Sequence, residues 1–343
     1  MKRKPKKIVI VIGAILLLVM IFTVGIMISL TSVSKTSKEV TFVVNSGTSK
    51  KEIVNNLKTA GLIKSKYSTF LYILLSGNKR IEAGTYILNK EMSTPDVIKS
   101  IEKSRNTNTV TLTFPEGTSI KKYLKQLEKA FNFNETDMTS KLKDKTFLNS
   151  LISEFWFLDE SILNDKLYYS LEGYLFPDTY QFFKNSSFED IIRKMLKGTE
   201  KKLSEYKDAN IKVHDILTKA SIIEKEAVDI NDRYKVSQVI DKRINIKMPL
   251  GMDVTAYYGA KKDLTEEITK VDLNALNAYN TRNLSYLGLP VGPICNPGIE
   301  SIKAAINPAT TNYTYFIADL KTGLVYFMES YDEFISIKNK LGN

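Results

Sequence analysis

A chain of 343 residues with 43% hydrophobic and 25% charged residues is longer than one typical domain and too apolar to be disordered. Its net charge is +11, but five of those charges fall in the opening MKRKPKK; the remaining +6 includes no Lys/Arg block interleaved with aromatics, so nucleic-acid binding has no support. One cysteine (Cys295) and one histidine (His214) exclude an internal disulfide and the usual Cys/His zinc sites, and neither G-x-x-x-x-G-K-S/T nor G-x-G-x-x-G occurs, so nothing calls for a cofactor.

Residues 8–30, IVIVIGAILLLVMIFTVGIMISL, are 23 uncharged and almost wholly apolar residues, long enough to cross a hydrocarbon core of about 30 Å. The basic flank Lys2, Arg3, Lys4, Lys6 and Lys7 places the N-terminus in the cytoplasm under the positive-inside rule. The apolar run exceeds the roughly 7–15 residues of a signal peptide and ends in only a weak small-residue site. A single-pass anchor is therefore expected, with everything beyond residue 31 outside the cytoplasm.

A polar linker, 31–37, leads to a small module over 38–105. EVTFVVNSG alternates as a strand and Gly47 turns the chain. TSKKEIVNNLKTAGLI reads as a capped helix ending at Gly61, and KYSTFLYILLSG as a second helix stopped by Gly77. IEAGTYILNK returns as a strand, and STPDVIKSIEK starts a helix with Ser93 as cap and Pro95 in its first turn. A partial repeat follows at an offset of 70, where TFVVNSGTSKKEIVNNL (41–57) realigns with TLTFPEGTSIKKYLKQL (111–127). Only the first half repeats, so no solenoid is implied.

The remainder, 106–343, reads as a larger mixed α/β domain around a helical core that bears acids, making the whole an α+β chain. Residues 128–168 look helical. LEGYLFPDTYQF (171–182) interrupts them with aromatics, two acids and Pro177. Helices are predicted over 188–206 and 211–227, and Asn231 or Asp232 caps another with Val236, Val239, Ile240 and Ile244 on one face. The stretch 250–300 is irregular. GIESIKAAI is a short helix, YTYFIADLKTGLVYFME a hairpin turning at Lys321-Thr322-Gly323, and YDEFISIKNKL a closing helix.

The residues that could carry chemistry are carboxylates. His214 and Cys295 read most simply as structural residues. Glu172 and Asp178 stand among Tyr174, Phe176, Tyr180 and Phe182, either as an aromatic core with capping acids or as a sugar-binding wall. Asp253, Thr255, Tyr257, Tyr279 and Asn280 sit on loops over a helical scaffold, where function concentrates. In SIIEKEAVDINDR, Glu224 and Glu226 flank the apolar stripe Ile216, Ala220, Ile223, Ala227 on opposite sides, as a solvated face or as an acid that does chemistry. Periodicity does not choose between them.

LEGYLFPDTYQF, ASIIEKEA, DKRINIKMPLGMDVTAYYG, YNT, GLPVGPICNPGIESIKAAINPA and YTYFIAD, in this order, resemble the endolytic murein transglycosylase family, the MltG or YceG-like proteins. The resemblance covers nearly the whole chain and implies an anchor, a LysM-like module and a transglycosylase domain. It implies cleavage of MurNAc–GlcNAc bonds within peptidoglycan strands to leave 1,6-anhydro-MurNAc ends. The second glutamate of the E-K-E triplet is the acid by this resemblance, which falls on Glu226. Glu172, Tyr174, Asp178, Tyr180, Asp253, Thr255, Tyr279 and Asn280 are the implied substrate contacts. Glycan strands, the bilayer through residues 8–30 and cell-wall synthases are the implied partners. The family's L-Q-x-D-P-T reads Leu250-Gly251-Met252-Asp253-Val254-Thr255 here, Arg282 follows YNT, and G-L-P-P-G carries Val291. A non-catalytic wall-binding scaffold and a two-carboxylate hydrolase using Glu226 with Asp253 are the alternatives.

Overall fold

The computed structural model describes residues 5–45, 47–77, 81–102, 109–184, 186–284, 287–319 and 322–342. The chain divides into two compact units, Met1–Thr109 and Val110–Asn343, each with its own apolar core.

The first unit begins with helix α1 (Pro5–Ser29). Its stretch Ile10–Ser29 has a mean hydropathy of 3.0 and is covered by no other part of the chain, so it is long and apolar enough to cross a membrane. Strand β1 (Glu39–Val44) then pairs antiparallel with β2 (Gly84–Asn89). Between them lie α2 (Lys50–Thr59) and α3 (Lys66–Leu75), and α4 (Thr94–Glu102) follows. Local signals account for these boundaries. The hydroxyls of Ser49, Ser65 and Ser93 accept the N–H groups of Glu52, Ser68 and Asp96. Gly61 and Gly77 terminate α2 and α3 at φ +66° and +86°, a region that costs a Cβ-bearing residue. Val54, Leu57, Leu88, Val97, Ile98 and Ile101 close the core.

In the second unit β3 (Thr109–Thr113) pairs with β4 (Thr179–Phe183). The expected helical run over 128–168 breaks into shorter pieces. Helix α5 (Ile120–Phe131) ends where Asn132 turns left-handed at φ +57°. Asn134 and Asp144 then cap α6 (Glu135–Lys141) and α7 (Lys145–Glu154). Beyond Glu154 only one 3₁₀ turn, Glu160–Leu163, is helical. Helix α8 (Phe188–Leu203) opens with a Ser187/Asp190 capping box. Next come α9 (Val213–Glu226) and α10 (Ile230–Asn245), the latter capped by Asp229 rather than Asn231 or Asp232. The Asp229 carboxylate accepts both of their N–H groups, so those two residues already lie inside the first turn. Helices α11 (Asp253–Gly259), α12 (Lys270–Asn274) and α13 (Ile299–Ile306) precede the hairpin β5 (Tyr315–Ala318)–β6 (Val325–Met328) and α14 (Tyr331–Leu341). Lys321 of the expected hairpin turn lies outside the described residues; Gly323 turns at φ +74°.

The partial repeat is a repeat of conformation. Gly47 and Gly117 both take positive φ, +82° and +68°, between a strand and a helix. The copies differ at the cap: Ser119 makes no side-chain capping bond, and the Glu172 carboxylate takes the Ile120 N–H instead, at 2.9 Å.

Helix α9 corrects the amphipathic reading. It packs against α10, α11 and α13, and every residue from Leu217 to Ile223 is buried. The polar residues that give it an apparent wet face are inside with partners. Lys219 bonds Asp241 at 2.6 Å and the Ala305 carbonyl at 3.2 Å. Thr218 and Ser221 return their hydroxyls to carbonyls one turn back, those of His214 and Thr218. The helix is a central rod, exposed at Asp215 near its start and half-buried over Glu224, Lys225 and Glu226 at its end.

Candidate active site

Glu226 is the last residue of α9, and the chain turns extended at Ala227 (φ −132°, ψ 127°). Glu226 is half-buried, and its carboxyl makes no hydrogen bond or ion pair among the described residues. Burial pushes its pKa up to about 7, repulsion from Asp253 adds to this, and attraction to Arg243 offsets part of it. The negative end of a helix is itself a poor place for an anion. Arg243 does not cancel the effect, because backbone carbonyls engage it. Its Nε donates to Thr314 at 2.8 Å, an η nitrogen donates to Leu250, and the guanidinium lies 5.5 Å from the Tyr315 ring centre. An acid that is unpartnered and poised near neutrality can hand over a proton.

Glu224, two residues earlier, is the opposite case. Its side chain is 7% exposed. It accepts the Gly298 N–H at 3.1 Å and the Ser301 hydroxyl at 2.7 Å, and both η nitrogens of Arg233 lie 3.3 Å from its oxygens. This carboxylate caps α13 and ties α9 to α10. Periodicity leaves the two glutamates equivalent; their partners separate them. The solvated-face reading fails for Glu224.

Asp253 begins α11 and stays exposed, paired with Arg282. Its negative charge is one of the causes that raise the Glu226 pKa. The other sequence candidates fall elsewhere. Tyr174 is fully buried and bonds His214 Nδ1 at 2.9 Å, while His214 Nε2 lies 3.0 Å from the Val291 carbonyl. A carbonyl only accepts, so Nε2 carries the proton and Tyr174 donates to Nδ1. Thr255 is buried on the Met252 carbonyl and the Thr281 hydroxyl. The Asn280 amide donates to the carbonyls of Leu273 and Ala275, and Tyr279 is wedged between the rings of Tyr168 and Tyr258. Tyr180 sits in the core, its hydroxyl on the Phe176 carbonyl. Asp178 is exposed and accepts the N–H of Thr179. Asp178 apart, these side chains are buried in the framework and do not surface the site. Cys295 is likewise buried, its Sγ 3.4 Å from the Ser221 carbonyl on α9.

Glu172 is 1% exposed and accepts from Ile120 N (2.9 Å), Asn296 Nδ2 (3.3 Å) and the Tyr258 hydroxyl (2.9 Å). Burial pushes its pKa up to about 8, against the pull of the Ile120 and Tyr258 donors. It joins α5, α11 and the 290s loop around the site. Removing it as Glu172→Ala strands three buried donors and is expected to cost about 2–4 kcal/mol. Glu172→Gln, close to the neutral acid in shape and acceptor capacity, should cost under about 1 kcal/mol. Thermal unfolding of the two variants at neutral pH checks the order.

A cavity of about 480 Å³ opens beside the end of α9, with Lys225, Val254 and Tyr257 among its walls. Sequence reasoning passed over Lys225, whose ammonium reaches the Gly117 carbonyl at 3.0 Å, and also Arg243 and Tyr258. Each is defined by partners distant in the chain, so no local signal marks them.

The profile of the YceG-like family matches residues 42–340. The chain belongs to the YceG-like family. A relative named endolytic murein transglycosylase, from Bacillus subtilis, is 35% identical over 303 residues, 87% of this chain and 83% of the relative. One of the same name from Streptococcus pneumoniae is 31% identical over 321 residues, 88% of this chain; the chain spans 58% of that relative's length. A crystal structure of a yceG-like protein from Listeria monocytogenes superposes with a TM-score of 0.62 at 30% identity, covering 88% of this chain and all of the other. Two departures from the family pattern acquire a structural setting. Gly251 takes φ +63°, which suits glycine, and Arg282 is the cation that engages Asp253 at the site's edge.

Proposed function

We propose that this YceG-like protein is a membrane-anchored endolytic transglycosylase that cuts MurNAc–GlcNAc bonds within peptidoglycan strands. The observation that carries the reading is Glu226, a half-buried acid at the end of α9 without a protein partner among the described residues and with a pKa near 7. The neutral acid donates its proton to the glycosidic oxygen as the C1–O4 bond breaks. The resulting carboxylate then takes the proton of the sugar's own C6 hydroxyl as O6 bonds to C1. The acid is regenerated, no water is consumed, and the product ends in a 1,6-anhydro ring. A glycosidase needs two carboxyl groups, whereas this reaction needs one because the substrate supplies the nucleophile.

A second reading is favoured by the nearness of Asp253, which would make a two-carboxylate hydrolase with Glu226. Its pairing with Arg282 weighs against that role. Mass spectrometry of products from native strands separates the two: anhydro ends are expected, and reducing ends would replace the proposal with hydrolysis. Under the same reading the β1–α2–α3–β2 unit is LysM-like and positions long strands, so deleting residues 38–105 should lower cleavage of long strands more than of short ones. Equal losses on both would remove that role.

Helix α1 would anchor the chain with the basic end inside. Protease added to intact wall-stripped cells should then digest the chain beyond residue 40, and full protection would reverse the orientation.

A further inference from the structure

The cavity beside α9 holds charge that the proton-transfer chemistry does not use. Seven lysines line it against two acids, Glu116 and Asp263. Asp263 is paired with Lys122 at 2.8 Å, and Lys262 with Asp272 at 2.6 Å. Lys121, Lys125, Lys143, Lys225 and Lys261 make no ion pair among the described residues. They come from α5, the α6–α7 loop, α9 and the end of α11, so the convergence is a product of the fold and not of one charged segment. Of these five, only Lys225 is half-buried; the other four are exposed.

Helix physics does not explain the α5 lysines. Lys121 and Lys122 occupy its first turn, which holds no acid, at the positive end of the helix dipole. Lys121 and Lys125 stand four apart on one face, where like charges repel. Both arrangements are locally unfavourable, and a bound anion would relieve them. The rings of Tyr168, Tyr169, Tyr257 and Tyr258 also line the cavity and give its walls apolar area. No arginine contributes a fork for a phosphate, and the cations are spread around a volume of about 480 Å³. That suits a short peptide carrying several separate carboxylates better than one compact anion.

Resting on the transglycosylase reading, we propose that this lysine- and tyrosine-lined cavity binds the acidic peptide borne by the glycan strand, so that peptide-bearing strands are preferred over bare glycan. The test uses the full-length chain in detergent carrying Glu226→Gln, so that strands are held and not cut. Binding is measured to strands with their peptides, to strands stripped by an amidase, and to stripped strands that keep an attached phosphodiester polymer. At about 50 mM salt, peptide-bearing strands should bind about tenfold more tightly than stripped ones, and the advantage should fade at about 0.5 M. Adding Lys121→Ala, Lys125→Ala and Lys143→Ala together should shrink it to within about twofold, with thermal unfolding unchanged because these side chains are exposed. Equal binding of peptide-bearing and stripped strands, an advantage that follows the phosphodiester polymer, or one that survives the triple substitution would each overturn the assignment. Product analysis with Glu226 intact is scored separately: peptide-dependent binding without anhydro products keeps the cavity's role and removes the transglycosylase reading.

Discussion

Glu226→Gln is expected to lower strand cleavage by about 10²–10⁴-fold while strand binding survives, because the amide keeps the shape and loses the transferable proton. The pH dependence sharpens the test. With a pKa of about 7, the acid form falls from about nine-tenths at pH 6 to about one-tenth at pH 8, so cleavage should decline through neutrality. The same shift has a cost in stability. A carboxyl raised from 4.5 to about 7 on folding holds a proton that the unfolded chain has released. Its contribution is therefore complete below pH 4.5 and is lost as pH rises to 7. Glutamine does not titrate, so at pH 8 the variant should be about 2–3 kcal/mol more stable than the parent, read from denaturant midpoints at pH 5 and 8. A variant both less active and more stable, with the gain confined to high pH, identifies Glu226 as the group held against its preference. Full activity in Glu226→Gln would move the acid elsewhere, with Asp253 the nearest candidate.

Glu224→Ala should behave in the reverse manner. The substitution removes the partner of a mostly buried Arg233 and the cap of α13 together, and breaking such a pair typically costs about 3–5 kcal/mol. For a unit of this size that lowers the unfolding temperature by about 10 °C. Any fall in cleavage should track the folded fraction and recover at lower temperature. Glu224→Gln should lie between, since its amide oxygen still accepts from Gly298 while Arg233 loses its counter-charge. Glu224 is therefore no silent control for Glu226. If Glu224→Ala unfolds like the parent yet abolishes cleavage, the roles assigned to the two glutamates are exchanged.

What was legible in the sequence was local. The apolar span, the caps of α2 and α4, and the glycines that end α2 and α3 act within a few residues of where they are read. What was not legible depends on meetings between distant segments. Glu224 and Glu226 look alike until Arg233, Gly298 and Ser301 are brought to one of them. Lys219 reads as a wet face until Asp241 and the Ala305 carbonyl enclose it. Tyr174, Thr255, Tyr279 and Asn280 are polar or aromatic on irregular segments, which suits a binding surface as well as a buried hydrogen-bond network, and composition does not say which way a side chain turns. The helical reading of 128–168 lacked its internal boundaries, for a smaller reason: Asn132, Asn134 and Asp144 are local stop and start signals.

The burial of Cys295 gives the unaltered chain a gauge of its own motion. The thiol is 1% exposed and faces the Ser221 carbonyl of α9, the helix that ends in Glu226. A reagent in solution meets that sulfur only when the segment around residue 295 lifts from the helix. With one thiol in the molecule, the rate of its modification under native conditions counts those excursions directly. Whatever steadies the segment, a bound strand included, would be read as slower labelling, with no dye, tag or substitution placed near the acid.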